Sequence, residues 1–166
     1  MPIKSFRGMM SDNGQDKILL HTNTGSTGYK LVKFEIIPNA PGTVAQESIC
    51  KIYKIQQADN IPAGTNLYSK IDFSENILLA AAYYADGSSA GDNQATTVIF
   101  DNEIFNQDIF ITHKDVSGND PGAPINYYIE LEQIKLDLNE NTVATLKDIR
   151  NIESQWANNI IWIKKP

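Results

Sequence analysis

The chain has 166 residues, 42% of them hydrophobic, and a formal net charge of −6 with an isoelectric point near 4.8. This size and composition suit one domain with one core. The 14 basic residues are scattered, which argues against non-specific nucleic-acid binding. No apolar run approaches the ~20 residues of a membrane-spanning helix, and no secretory signal follows Met1. We therefore expect a protein made in a reducing cytoplasm, with neither nucleic acid nor membrane as a partner.

Alternation of apolar and polar residues predicts β-strands along most of the chain. The 22 isoleucines favour strands, and the 16 asparagines favour the turns between them. The clearest predicted strands are 16–23, 29–37, 47–56, 77–84, 96–100, 108–116 and 125–138. Val32, Phe34 and Ile36 are expected to share one face of the second of these, and the charged residues between them the other.

Two of these segments leave alternatives open. Ala80-Ala81-Ala82 favours helix locally, but the flanking tyrosines and the eight-residue length of 77–84 favour a buried strand, which we predict. Apolar residues in 125–138 change phase, with 125–131 in one phase and 134–138 in the other. This slip at Gln133 predicts a β-bulge or a sharp bend there.

About eight strands separated by turns predict a single all-β, antiparallel sandwich or jelly roll. We assign residues 1–152 to this domain, with 139–152 as a short helix or an extended arm. Residues 153–166 form an apolar tail, which either completes its own sheet or adds as an arm to a neighbouring subunit. Its large apolar side chains are the candidate interface anchors, namely Trp156, Ile160, Ile161 and Trp162.

Few residues have the types and spacing that enzyme sites require. Cys50 is the single cysteine, and its alternation with Ile52 predicts a buried thiol. His21 and His113 belong to no metal-binding motif, and no nucleophile elbow or phosphate-binding loop is present. We predict no enzyme activity, no catalytic residue, no cofactor and no metal.

The sequence contains candidate residues for two kinds of ligand, Ca²⁺ and carbohydrate. Carboxylates and amides at 101–103, Asp108, Asp115 and 119–120 could bind Ca²⁺, but their spacing matches no EF-hand and turn formation explains them better. Tyr83-Tyr84, Tyr127-Tyr128 and the two tryptophans could stack on sugars. Because adjacent residues of a strand point to opposite faces, at most one tyrosine of each pair lies in the core. The other is exposed or lies at an interface.

Several stretches together resemble small virion proteins of marine tailed bacteriophages. The match covers most of residues 3–152 and consists of strand and turn segments, without an active-site signature. The stretches that carry it are Phe6-Arg7-Gly8, Gly14-Gln15-Asp16, His21-Thr22-Asn23, residues 28–35, Lys51-Ile52-Tyr53-Lys54, residues 100–109, residues 126–132 and residues 145–151. The segment from Ser154 to Pro166 lies outside the resemblance.

The resemblance implies a component of the virion, of the head decoration or cement type. Its partners would then be the major capsid protein and further copies of itself, with trimers common in such proteins. Position in the head, neck or tail stays open. The alternative function is a receptor- or carbohydrate-binding β-sandwich module of a tail or fibre.

Overall fold

A computed structural model describes residues 2–22, 24–58, 68–86, 93–100, 103–119 and 122–137, together with Asn139, Glu140, Thr142, Thr145 and Leu146. Within these residues lie eight β-strands. In chain order they are β1 (Ile3–Met10), β2 (Gln15–Ile18), β3 (Thr27–Pro38), β4 (Gln46–Tyr53), β5 (Leu78–Asp86), β6 (Gln94–Ile99), β7 (Ile109–Asp115) and β8 (Ile125–Lys135).

The strands form two antiparallel sheets that pack face to face. A three-stranded sheet has the order β1-β8-β3, and a five-stranded sheet has the order β2-β7-β4-β5-β6. The first four strands alternate between the sheets, β8 lies between β1 and β3, and β7 lies between β2 and β4. This is the strand order of a jelly roll, except that β6 hydrogen-bonds to β5. The predicted all-β sandwich is confirmed.

The core lies between the inner faces of the two sheets. Ile52, Ile111 and Ala80 are paired across three neighbouring strands of the five-stranded sheet and are fully buried. Leu131 and Ile129 of β8 cover them from the opposite sheet. The predicted strand 77–84 is therefore found as β5, Leu78–Asp86, because pairing on both sides and burial outweigh the helix propensity of its alanines.

The two outer faces of the sandwich differ. The connection between β4 and β5 packs on the outer face of the five-stranded sheet, where Lys51 and Tyr53 are buried. Lys51 donates a hydrogen bond to the carbonyl of Lys70 in that connection. On the outer face of the three-stranded sheet, Met9 and Ile37 are 56% and 59% exposed. One sheet is thus covered on both faces, and the other keeps an exposed face.

The bulge predicted at Gln133 is wrong, because β8 stays in register with β3 through that residue. The irregularity lies in β3, between Leu31 and Lys33, where Val32 has no partner in β8 and is exposed. Val32 therefore does not share a face with Phe34, contrary to expectation. The apolar residues of this segment change phase because the alternating buried residues of β8 end at Leu131. The next buried residue, Leu136, lies beyond the end of the strand at Lys135.

Strand β1 was not among the predicted strands. Its apolar residues do not alternate, and Gly8 interrupts the pattern. After β8, helical backbone occurs at Asn139, Glu140, Thr142, Thr145 and Leu146, inside the segment for which a helix or an arm was expected. The tail 153–166, with Trp156, Ile160, Ile161 and Trp162, lies outside the described residues, so its two alternatives stay open.

A partly buried hydrogen bond joins the two sheets beside Gly8. Tyr127 of β8 donates from its hydroxyl to Asp16 of β2 over 2.9 Å. A Cβ atom on Gly8 would lie 2.7 Å from this hydroxyl oxygen and 2.9 Å from the ring carbon that carries it. The absence of a side chain at residue 8 is therefore what allows the Tyr127 ring to reach Asp16.

We expect Gly8→Ala to lower the free energy of unfolding by ~1–3 kcal/mol, because the ring must move and the bond to Asp16 is strained. Urea denaturation followed by circular dichroism measures the change, with Lys4→Ala at an exposed position of the same strand as the control. The double variant Gly8→Ala/Tyr127→Phe should lose less than the sum of its single variants. Wild-type stability in Gly8→Ala would contradict the described packing.

Candidate functional site

The buried histidine pairs with a serine, as in a nucleophilic dyad. His113 Nε2 lies 2.9 Å from Ser48 Oγ, and His113 Nδ1 lies 3.1 Å from the carbonyl oxygen of Ser11. A carbonyl only accepts, so Nδ1 carries the proton and Nε2 accepts from the Ser48 hydroxyl. Gln46 also donates to Ser48 Oγ over 2.7 Å. Burial lowers the pKa of His113, which keeps the ring neutral.

This pair is closed to substrate in the described structure. His113, Ser48 and the neighbouring Cys50 each have 0% exposed surface. Burial also raises the pKa of the Cys50 thiol, so the reactive thiolate is disfavoured. The predicted buried thiol is confirmed. Ser48 and His113 form a hydrogen-bonded pair beside Cys50, and none of the three side chains is exposed to a reacting atom.

The other histidine lies on the surface beside a carboxylate. His21 Nδ1 is 2.8 Å from Asp108 Oδ1, and the same carboxylate accepts from the backbone N–H groups of Leu20 and His21. Partial burial acts to raise the pKa of Asp108, but these hydrogen bonds outweigh it and lower the pKa to about 2. The arrangement anchors the chain after β2.

The carboxylates considered for Ca²⁺ are engaged within the protein. Asp115 accepts from the backbone N–H groups of Ser117 and Ala123, as a turn-forming residue does. Glu103 pairs with the buried Lys54 over 2.7 Å. Across the described residues, no group of three or more His, Cys, Asp or Glu could hold a metal ion. Residues 101, 102 and 120 lie outside that part of the chain.

One surface feature of the described residues is the outer face of the three-stranded sheet. Arg7, Tyr128 and Glu35 form one row across its strands, because the register pairs Arg7 with Tyr128 and Tyr128 with Glu35. The next row is Met9, Asn126 and Ile37. A depression of about 400 Å³ lies over these rows, lined by Arg7, Gly8, Glu35, Ile37, Asn126, Tyr127 and Tyr128.

Charged and aromatic groups alternate on this outer face. Lys33 Nζ lies 5.8 Å from the ring centroid of Tyr128 and 3.7 Å from Glu35, and the Tyr128 hydroxyl donates to Glu130 over 2.8 Å. Within the described part of the chain, the Arg7 side chain has no hydrogen-bond or ion-pair partner. As predicted for adjacent tyrosines, Tyr127 is buried and Tyr128 lies on the other side of the strand.

A second depression, of about 340 Å³, lies where the β4–β5 connection meets β5 and β6. Glu75, Phe100 and Glu103 line it, and two buried lysines lie nearby in the β4 region. Burial lowers the pKa of Lys51 to about 8, and the charge of Glu75 partly offsets this shift. Lys51 was not predicted as a buried residue, although its phase in β4, shared with Ile49 and Tyr53, marks an apolar face.

Arg7 and Glu35 were not selected from the sequence either. They lie on different strands and become neighbours in one row only through β8, which is more than 90 residues further along the chain. The single available signal was charge at outward positions of short strands, and that pattern is common on solvated faces. The pairing register supplies the information that local sequence lacks.

We expect stability to fall between pH 7 and pH 5 because of His113. Its pKa is lowered in the folded state, so the unfolded chain takes up the proton first, and folding free energy is lost as pH falls below about 6.5. The carboxylates of Asp12 and Asp115 act against this shift but do not reverse it. Urea midpoints at pH 5, 6 and 7 measure the slope, which should be shallower in His113→Asn. An unchanged slope in the variant would contradict a buried neutral imidazole.

No protein-family model matches the chain, and none of the curated proteins matches it. Within the described residues, no helix combines the length and the apolarity needed to cross a membrane. The family resemblance noted from the sequence therefore stays an expectation.

Proposed function

We propose that the chain is a non-enzymatic structural protein of a tailed-phage virion, which docks on capsid subunits and associates with itself. The observation that carries this proposal is the contrast between core and surface. Three residues with nucleophilic potential, Ser48, His113 and Cys50, are sealed inside. One whole sheet face instead exposes Met, Ile, Tyr and Arg side chains. Protein interfaces are enriched in Tyr, Met and Arg.

Composition and the resemblance support the same role. The net charge of −6 opposes binding to nucleic acid and leaves protein surfaces as the natural partners. Strand and turn segments over most of residues 3–152 resemble decoration or cement proteins, which implies the major capsid protein as partner. On this proposal the chain is made in the host cytoplasm and ends in the virion.

The capsid contact is assigned to the apolar tail. Tryptophan is a side-chain type that often dominates binding energy, and the tail contains Trp156 and Trp162. Ile160 and Ile161 lie between them in sequence. A decoration protein would strengthen a shell by burying the ~1,200–2,000 Å² of surface typical of a stable, specific contact. The tail would supply the anchors of such a contact.

Deletion of residues 154–166 tests this assignment. We expect the intact protein to co-sediment with undecorated capsids, and we expect the deletion variant to bind at least tenfold more weakly while keeping its β-type circular dichroism. Lys164→Ala/Lys165→Ala is the control, since it changes the tail but keeps its apolar side chains. Failure of the intact protein to bind capsids would contradict the virion role. A deletion variant that unfolds would place the tail in the core.

A second candidate function, carbohydrate binding, is favoured by the surroundings of Tyr128. Its ring lies on the exposed sheet face between Arg7 and Glu35, with the Asn126 amide in the adjacent row. Sugar sites combine an aromatic ring with flanking amides and carboxylates. This candidate predicts glycan-array binding that Tyr128→Ala abolishes and that Tyr83→Ala, on the other sheet, preserves. An array without signal would remove it.

A further inference from the structure

We infer that the outer face of the three-stranded sheet is a two-fold interface between two copies of the chain. The inference deepens the self-association within the proposed function and does not depend on the capsid contact. It rests on the positions of five exposed or half-exposed side chains: Arg7 and Met9 on β1, Tyr128 on β8, and Glu35 and Ile37 on β3. Their arrangement is complementary to itself under a two-fold rotation, which is the condition for pairing with a second copy.

That condition concerns the two edge strands. β8 is the middle strand, so β1 and β3 lie one strand spacing, about 4.8 Å, to either side of it. Consider a two-fold axis that runs along β8 midway between two facing sheets. Rotation about this axis places β1 of each copy over β3 of the other. Each residue of β1 then faces the residue of β3 that occupies the same row.

The rows are complementary under this operation. Arg7 and Glu35 share a row, so the rotation places each Arg7 opposite Glu35 of the second copy, giving two oppositely charged contacts. Met9 and Ile37 share the next row, so they meet in two apolar contacts. A contact in which each patch meets its complement on an identical chain is the requirement for an isologous dimer.

Local contacts leave these groups able to pair between copies. Within the described residues Arg7 has no ion-pair partner, and Glu35 lies 3.7 Å from Lys33 in a contact between two exposed groups. Such exposed pairs contribute little, so Arg7 of a second copy can replace or join Lys33. Met9 and Ile37 are each more than half exposed, and their burial would favour association.

The geometry also sets the centre and the strength of the contact. Glu130 is the next residue of β8 on the same face as Tyr128. It lies along the two-fold axis and would face Glu130 of the second copy. Aligned sheets cross at about −30°, which separates rows away from the crossing point. We place the crossing point between Tyr128 and Asn126, because the two complementary rows lie there. A face of three strands and about eight residues measures about 14 by 26 Å, which is small for a stable interface. We expect a reversible dimer of micromolar affinity.

Charge reversal distinguishes this interface from other occupants of the same face. Arg7→Glu and Glu35→Arg should each weaken dimerisation at least tenfold, because each variant faces itself with two like-charge contacts. An equal mixture of the two variants should dimerise again, since both contacts in the mixed pair become oppositely charged. The double variant Arg7→Glu/Glu35→Arg should dimerise like the wild type. Sedimentation velocity across a concentration series measures each case.

Lys4→Glu is the matched control, because it makes the same charge change on β1 at a position of the opposite phase, and it should leave dimerisation unchanged. Circular dichroism confirms that each variant is folded. A wild type that stays monomeric at millimolar concentration, forms trimers, or dimerises regardless of these substitutions would overturn the inference. A monomer that still co-sediments with capsids would overturn the dimer and keep the proposed virion role.

Discussion

Strand β8 divides its side chains between two environments, and the rest of the fold depends on that division. Ile129 and Leu131 point into the core and are fully buried, whereas Tyr128 points outward. Because β8 pairs with a strand on each side, a slip of one residue would carry its apolar side chains into water. The register is therefore strongly determined, and with it the row that brings Arg7 and Glu35 to either side of Tyr128. The exposed face is a consequence of how the core is built.

Polar groups inside the sandwich restrict how the two sheets can meet. The hydrogen bond from Tyr127 to Asp16 joins them directly, and the His113–Ser48 pair joins neighbouring strands of the five-stranded sheet. A buried polar group that loses its partner costs about 1–3 kcal/mol, so alternative packings of the two sheets are disfavoured. The His113–Ser48 pair is thus one of the hydrogen-bonded polar contacts of the core. The burial of Lys51 has a different origin from that of these core groups, because it depends on the β4–β5 connection that covers the outer face of the five-stranded sheet.

Most strands could be predicted from the sequence, because a two-residue apolar period is a local signal. Strand β1 could not, since Gly8 and the adjacent Met9-Met10 break the period, and its place in the sheet depends on pairing with β8. The bulge was expected in the wrong strand, because the phase change in β8 marks only the end of its buried stretch, whereas the register shifts at Val32 in the partner strand β3. The candidate site shows the same limit. Its rows arise from pairing between segments far apart in sequence, and local patterns hold no record of that pairing.

An outward face on β1 and β8 is the feature on which the proposed dimer depends. The adjacent residues Met9 and Met10 report it directly, since Met9 is 56% exposed and Met10 is 2% exposed. Methionine oxidation by peroxide follows solvent exposure, and mass spectrometry of the peptide resolves the two sites. At low protein concentration, we predict rapid oxidation of Met9 and strong protection of Met10. Equal rates, or faster oxidation of Met10, would contradict the register of β1 and with it the exposed face.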